Sequence, residues 1–294
     1  MISINIKNMD LKMDYKNANT KYGPTKKVAL FTNARDEPHI KEWAAHHLLI
    51  GFDNIIIFDH NSIVPLTSVF QNFDKRVVVI RYDTPPSETA IKLKLMNNAI
   101  KMAQLLNVDW FIYLDADEFI ILNNAFVGIK HLLNKYNFAD SLALNWLMFG
   151  SNNLINEPDG LILGNYTKSD LMLNKQVKTF VRPFEAVDTG SPHFYNIRNK
   201  NKMFALNKFL DGSVEPHCFN TWNIEYNKAP AFIAHYVYQS EESYLKRKVN
   251  RPTDDTGGNR GNMGAHIHAL HNSCENMYPK FKYAEAVRNF LQRP

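Results

Sequence analysis

The stretch Asp109-Trp110-Phe111-Ile112-Tyr113-Leu114-Asp115-Ala116-Asp117-Glu118-Phe119 runs almost unbroken through apolar side chains and then meets three carboxylates within four residues. Such a run reads as a strand buried in a sheet that delivers its acids to the sheet edge. Side chains alternate along an extended backbone, so Asp115 and Asp117 are expected on one side and Glu118 on the other. Two carboxylates so placed repel each other unless a cation sits between or beyond them. A hard divalent ion, Mg²⁺ or Mn²⁺, meets that need, and in such sites it commonly also holds substrate phosphates. A bare Asp-x-Asp is short and also occurs at solvated strand ends that merely cap the next helix. The buried strand before this one, and the order of the elements around it, set it apart.

Upstream, Val28 to Thr32 reads as a short buried strand, and Glu37 to Leu49 carries Ile40, Trp43, Ala44, His47 and Leu48 at the spacing of one helical face, stopped by Gly51. A second strand, Asn54 to Phe58, ends in Asp59-His60-Asn61-Ser62. A third, Arg76 to Tyr82, leads through Pro85-Pro86 to a helix over Glu88 to Leu106. Strands alternating with helices in this way predict an α/β fold with a Rossmann-like, mainly parallel central sheet and helices on both faces. Ligands bind such sheets beyond the carboxyl ends of the strands. The polar clusters Asn33–Glu37, Asp59–Ser62 and Asp115–Glu118 are therefore expected to converge on one cleft.

The second half is less regular. Ser141 to Phe149 reads as a strand, Thr179 to Pro230 as short strand-like pieces punctuated by Pro and Gly, Ala231 to Tyr238 as a final strand, and Glu241 to Val249 as a basic helix. The glycines at 257, 258, 261 and 264 mark a polar loop or lid. The expected organisation is a polar arm over 1–25, a domain over 26–250 with a nucleotide-binding half (26–122) and an acceptor-binding half (123–250), and a C-terminal loop, lid and tail over 251–294.

At 294 residues, with 45% hydrophobic and 21% charged side chains, the chain has an ordinary globular balance, which excludes wholesale disorder. The net charge of +5 is spread along the chain, and there is no zinc-finger spacing or aromatic RNA-binding signature to suggest a nucleic-acid partner. The only cysteines, Cys218 and Cys274, lie far apart without metal-ligand spacing, which fits a reducing compartment. No apolar run approaches the roughly 20 residues that span a bilayer. A soluble cytoplasmic protein is expected, with peripheral membrane contact left open.

Taken in order, several pieces resemble GT-A fold glycosyltransferases related to family 2, in the group that carries an Asp-Ala-Asp-Glu-Phe motif. These are Asn33-Ala34-Arg35-Asp36-Glu37 with Glu42-Trp43 and His46-His47; Gly51-Phe52-Asp53-Asn54-Ile55 with Asp59-His60-Asn61-Ser62; Asp109 to Phe119; Trp146 to Ser151; Lys178 to Pro183; and His235-Tyr236 with Ser240-Glu241-Glu242 and Lys246. They cover about residues 27 to 250. The resemblance implies a nucleotide-sugar donor, UDP-linked by family habit, and a glycan or other hydroxyl acceptor. It implies that Asn33, Arg35, Asp36, Glu37 and Asp59 hold the nucleoside, that Asp115 faces the ribose or the metal, and that Asp117 binds Mn²⁺ or Mg²⁺ directly. His235 stands where such a site is completed, with His193 and His217 as substitutes; His266, His268 and His271 form a further histidine run.

The chemistry accounts for these residue types. Breaking the bond from a sugar to a nucleoside diphosphate puts negative charge on the departing phosphate, which cations stabilise, while the sugar passes through an oxocarbenium-like state. For inversion, a carboxylate on the opposite face takes the acceptor proton. Glu157 and Asp159 lead as that base, with Asp188, Glu185 and Glu118 as alternatives, and Lys178, Arg182, Lys246 and Arg247 are candidates for contact with phosphate or acceptor. Two other readings stay open: a sugar nucleotidyltransferase, whose Gly-rich first loop is missing from Asn33–Glu37, and a noncatalytic nucleotide- or glycan-binding domain.

Overall fold

In the computed structural model, which describes residues 22–85, 87–205, 208–209 and 224–293, four strands lie parallel and in register at the start of the domain. They are β1 (Val28–Ala34), β2 (Asn54–His60), β3 (Val77–Tyr82) and β4 (Trp110–Tyr113), in the spatial order β4-β1-β2-β3. Next come β5 (Glu118–Leu122), β6 (Ser141–Met148), the two-residue β7 (Lys168–Ser169) and β8 (Val177–Val181). Strand β8 runs antiparallel between β4 and β6. After the hairpin β9 (Ala186–Ser191) and β10 (Phe194–Ile197), β11 (Met203–Ala205) and β12 (Lys208–Phe209) extend the sheet beyond β6. Strand β13 (Ala231–His235) runs parallel to β6 and antiparallel to β5, so the sheet curls and has ten strands among the described residues. The short β14 (Cys274–Glu275) pairs with β7.

Helices cover both faces, as the strand pattern dictates. Val28 and Leu30 of β1 pack on one side with Trp43, Ala44 and Leu48 of α1 (Ile40–Leu49), while their neighbours Ala29 and Phe31 pack on the other. After the short α2 (Leu66–Val69), α3 (Lys92–Leu105) covers that second face with Leu95, Met96, Ala99 and Ala103. The α/β class, the mainly parallel sheet and the helices on both faces thus agree with the sequence. The remaining helices are α4 (Ile129–Lys135), α5 (Ile162–Asn165), α6 (Glu241–Tyr244) and α7 (Glu285–Leu291). The last of these packs on α1, and Tyr283, Val287 and Phe290 belong to the main core. The end of the chain is therefore a structural layer as well as a loop.

The first strands leave the sheet abruptly. Asp36 and Asn61, just past β1 and β2, have φ of 46° and 55°, the left-handed region that Asp and Asn tolerate better than most residues. Their turns place the loops around the carboxyl edge of the sheet. Inside α1, His46 and His47 are fully buried; His46 Nε2 donates to the Ile120 carbonyl at 2.8 Å and His47 Nδ1 to the Trp43 carbonyl at 2.8 Å. They are core residues. Burial lowers the His46 pKa to about 4, against an ordinary value of 6.5. The unfolded chain therefore takes up a proton as pH falls below 6.5 that the folded chain refuses until about 4, so this contribution to stability is lost with acidification through that window. The expected loss from His46 is up to roughly 3 kcal/mol. Urea denaturation at pH 7 and pH 4.5 should show the wild type losing more stability than His46→Gln, and equal slopes would count against a buried neutral imidazole.

Candidate active site

The acid pair sits in the turn between β4 and β5, at the carboxyl edge of the sheet. The turn is held from below: Trp43 Nε1 donates to the Glu118 carbonyl at 2.8 Å, and Tyr236 N to the Asp117 carbonyl at 2.9 Å. Because the backbone turns here, simple strand alternation does not orient the acids. Glu118 folds back instead, and its Oε2 accepts from Asp115 N at 2.9 Å. Glu118 is fully enclosed, and burial, opposed by Lys178 and assisted by Asp115, pushes its carboxyl up to about 8. It is an acid kept protonated beneath two that are ionised.

Asp115 and Asp117 each have their own cations. Lys92, at the first residue of α3, bonds Asp115 Oδ1, and Lys178 Nζ of β8 lies 3.4 Å from Asp115 Oδ2 and 3.6 Å from Glu118 Oε2. Burial opposes ionisation of Asp115, but Lys178 and Lys92 override it and hold its pKa well below the usual carboxylate range. Burial likewise works against the Lys92 ammonium, and Asp115 and Asp254 raise it nonetheless. Asp117, 2% exposed, receives Lys248 Nζ at 2.6 Å and Arg247 Nη1 at 3.2 Å, both on Oδ2. Those two consecutive residues come from a π-helical turn, Leu245–Val249, that widens the end of α6. Against burial, Lys248 and His235 depress the Asp117 pKa.

One cleft, with a cavity volume of about 210 Å³, contains both acids. Asn33, Arg35, Glu37 and His60 line it from the ends of β1 and β2, Lys92 from α3, Trp146, Lys178 and His193 from the second half, and the segment from Arg247 to Arg260 from the far side. That segment crosses the cleft: Lys92 N donates to the Asp254 carbonyl at 2.8 Å, Asn33 Nδ2 donates to the Asp254 carboxylate at 2.5 Å, and Arg251 bonds the Arg35 carbonyl. Of the residues singled out from sequence, the cleft brings together Asn33, Arg35, Glu37, Asp115, Asp117, Lys178, His193, His235 and Arg247.

Others lie elsewhere. Asp59 is fully buried, and its carboxylate accepts from Ser62 N at 3.3 Å, Leu66 N at 2.9 Å and Arg81 Nη1 at 2.9 Å. Asp36 caps Ile63 N at 2.7 Å. Glu157 bonds His39 Nε2 at 2.8 Å, and the carbonyl of Asp159 accepts from Asn165; neither residue lines the cleft. Glu185 lies by Tyr22, Asp188 on exposed β9 accepts from Asn196, and Lys246 pairs with Glu242 at 2.7 Å on the surface. Arg182 is buried on another side, stacked between the rings of Tyr22 and Trp110 at 3.8 and 4.1 Å. His268 bridges Ser151 and Glu241, His271 bonds Asp170, and His266 is exposed. His217 lies outside the described residues. Conversely, Lys92, Lys248, Arg251, Asp254 and Arg260 line the cleft, although a lysine at a helix start or an arginine in a polar loop reads as a solvated side chain.

Among the described residues no three His, Cys, Asp or Glu side chains form a ready-made metal group. The donors for a smaller one are in place. Asp117 Oδ1 is buried and has no hydrogen-bond donor, and His235 Nε2 lies 3.5 Å from it. Two ligands each about 2.1 Å from one cation stand roughly 3.0–3.5 Å apart when they are neighbours in its coordination shell. Burial lowers the His235 pKa despite Asp117, leaving a neutral imidazole able to ligate. These two residues therefore fit a cation whose other ligands come from substrate phosphate, the usual manner for Mg²⁺.

The chain is 24% identical over 212 residues to a glycosyltransferase family 92 protein of Ricinus communis, covering 69% of this chain and 38% of that protein. The chain thus spans less than two fifths of the length of that relative. No family profile matches it. Among solved structures it overlaps S. aureus TarS 1-349 (TM-score 0.33, 14% identity, 54% of this chain and 47% of that one). It also overlaps HddC from Yersinia pseudotuberculosis (TM-score 0.34, 11% identity, 75% and 96%). Overlaps this loose carry no functional weight. No helix among the described residues is long and apolar enough to cross a membrane.

Proposed function

We propose that the protein is a metal-assisted glycosyltransferase that moves a sugar from a nucleotide donor, UDP-linked by preference, to a hydroxyl of a glycan or related acceptor with inversion. The observation that carries this reading is the cleft itself: an Asp-x-Asp turn at the carboxyl edge of a parallel sheet, facing Arg35, Lys92, Lys178, Arg247, Lys248, Arg251 and Arg260. Such a field suits a ligand with two phosphates and gives no reason for a neutral one. The family 92 relative supports the same reaction class. Asp117 Oδ1 and His235 Nε2 would hold the cation, while Lys248 neutralises Oδ2 of the same carboxylate. When bound, Mg²⁺ or Mn²⁺ would offset the charge that develops on the departing diphosphate. Lys92 and Lys178 fix Asp115 in its ionised form, ready to accept hydrogen bonds from a ribose or sugar hydroxyl. Asn33, Arg35 and His60 form the end of the cleft farthest into the β1–β2 edge, where the nucleoside would lie. There His60 Nδ1 accepts from Arg35 Nη2 at 2.6 Å, and its Nε2 meets Thr84 Oγ1 at 2.8 Å.

Thermal unfolding with a panel of nucleotides and nucleotide sugars, with and without Mn²⁺, tests the reading. A ligand at a hundredfold excess over Kd adds about 2.7 kcal/mol, or several degrees in Tm. Metal-dependent stabilisation by one nucleoside diphosphate family is the expected outcome; a complete absence of shift would overturn it. Release of nucleoside diphosphate, as opposed to pyrophosphate from a nucleoside triphosphate and a sugar phosphate, separates it from a nucleotidyltransferase.

A further inference from the structure

Transfer to a hydroxyl needs a proton acceptor in the cleft, and the carboxylates there are engaged. Asp115 and Asp117 are held by their lysines, Asp254 accepts from Asn33, Asp255 accepts from Thr256 N at 2.7 Å, and Glu37 lies 3.5 Å from Arg247 Nη1. Glu118 is fully buried and does not line the cleft. His193 is different. It sits in the two-residue turn between β9 and β10, and its Nδ1 lies 3.3 Å from the Val177 carbonyl. A carbonyl only accepts, so Nδ1 carries the hydrogen and Nε2 is left with a lone pair. Nε2 has no hydrogen-bond partner among the described residues, and the ring lines the cleft.

The turn is firmly placed. Lys178 Nζ donates to the Pro192 carbonyl at 2.9 Å, Thr189 N to Asn97 Oδ1 at 3.0 Å, and His193 N to Ser191 Oγ at 3.1 Å. Lys178 therefore ties the turn to the same Asp115 that belongs to the acid pair. The indole of Trp146 has His193 as a ring neighbour at 5.0 Å and His235 at 4.3 Å, so the free imidazole stands about one ring away from the pair suited to a cation.

Resting on the glycosyltransferase reading above, we propose that His193 is the catalytic general base for the attacking hydroxyl. The hydroxyl oxygen bonds to the sugar carbon as its proton passes to Nε2; the sugar–phosphate bond breaks, and its electron pair leaves with the nucleoside diphosphate. The imidazolium then returns the proton to solvent. Burial and Lys178 of β8, with a smaller push from Lys92 of α3, lower the His193 pKa to about 4 against the opposing charge of Asp115. The ring is therefore in its proton-accepting form throughout the neutral range. A bound diphosphate counters the lysines and raises its basicity, so the acid limb of kcat lies at higher pH than that of kcat/KM.

The test uses the full chain, with UDP-glucose, UDP-galactose and UDP-N-acetylglucosamine as probes and water as acceptor. His193→Ala should lower UDP release at least a hundredfold, leave the Kd for UDP with Mg²⁺ unchanged by calorimetry, and recover in part with added imidazole. Release within threefold of wild type, or a loss of UDP affinity that accounts for the whole effect, overturns the assignment. Independently, ¹⁵N-edited histidine spectra, assigned with His193→Gln, should show the Nδ1–H tautomer and an upward pKa shift on addition of UDP and Mg²⁺. An Nε2–H tautomer rules the base out whatever the turnover. Absence of any UDP binding by the wild type instead overturns the donor reading, a result distinct from failure of the base.

Discussion

Asp117→Asn should abolish the proposed sugar transfer, with an expected loss of about a thousandfold or more, while the circular dichroism spectrum stays that of the wild type. The size follows from what the substitution removes. Loss of one preorganised electrostatic group at a developing charge costs roughly 10²–10³ in turnover. On the proposed function the lost charge would also neutralise a cation held by Asp117 Oδ1 and His235 Nε2, so the Mn²⁺-dependent part of the nucleotide-induced Tm shift should disappear with it. The fold has reason to tolerate the change. Arg247 keeps its bonds to the Tyr236 and Val237 carbonyls at 3.4 and 3.2 Å and its contact with Glu37, and Lys248 is partly exposed and can turn to solvent. Turnover within tenfold of wild type would remove Asp117 from the site.

The place of this residue in the cleft is legible from sequence because its signal is local: a buried strand, then acids. The same holds for the sheet. Val28, Leu30, Ile55 and Ile57 alternate with Ala29, Phe31, Ile56 and Phe58, and that pattern is enough to call for helices on two faces. Asp59 shows where local reading stops. It ends β2 as a ligand-binding acid would, yet Arg81, 22 positions later on the neighbouring strand, takes its Oδ2 and seals it. Nothing near Asp59 announces that partner. Lys92 and Lys248 were missed for the converse reason, since a lysine reads as solvated until the fold sets a carboxylate beside it. The terminal helix was a different kind of miss: Tyr283, Val287 and Phe290 have core spacing, but the seam they fill lies along α1, more than 200 residues earlier. Two motif residues carry a structural duty that their order alone does not disclose. Glu42 accepts from Ile162 N and Leu163 N at 2.8 and 2.9 Å, and Trp43 anchors the acid turn.

The largest stability effect should come from Lys92. Its side chain is 5% exposed, bonds Asp115 Oδ1, and has Asp254 Oδ1 at 3.8 Å. Lys92→Met keeps the stem's volume and apolar contacts but leaves Asp115 with Lys178 alone, at 3.4 Å. Breaking a buried pair by removing one partner typically costs 3–5 kcal/mol, whereas replacing both partners is often close to neutral. Asp115 is a quarter exposed and keeps one lysine, which places the expected loss near the lower figure, about 3 kcal/mol. Asp115→Asn should cost a similar amount, because it takes the nearest countercharge from two buried ammonium groups at once, leaving Lys92 with Asp254 at 3.8 Å and Lys178 with the Pro192 carbonyl at 2.9 Å. The double substitution Lys92→Met with Asp115→Asn should then lose clearly less than the sum of the singles, with an interaction energy of at least about 1 kcal/mol. Urea denaturation of the four proteins closes the cycle. Additive losses would mean that Lys92 acts through packing alone, and that the ionised state of Asp115 depends on Lys178 and not on the α3 lysine.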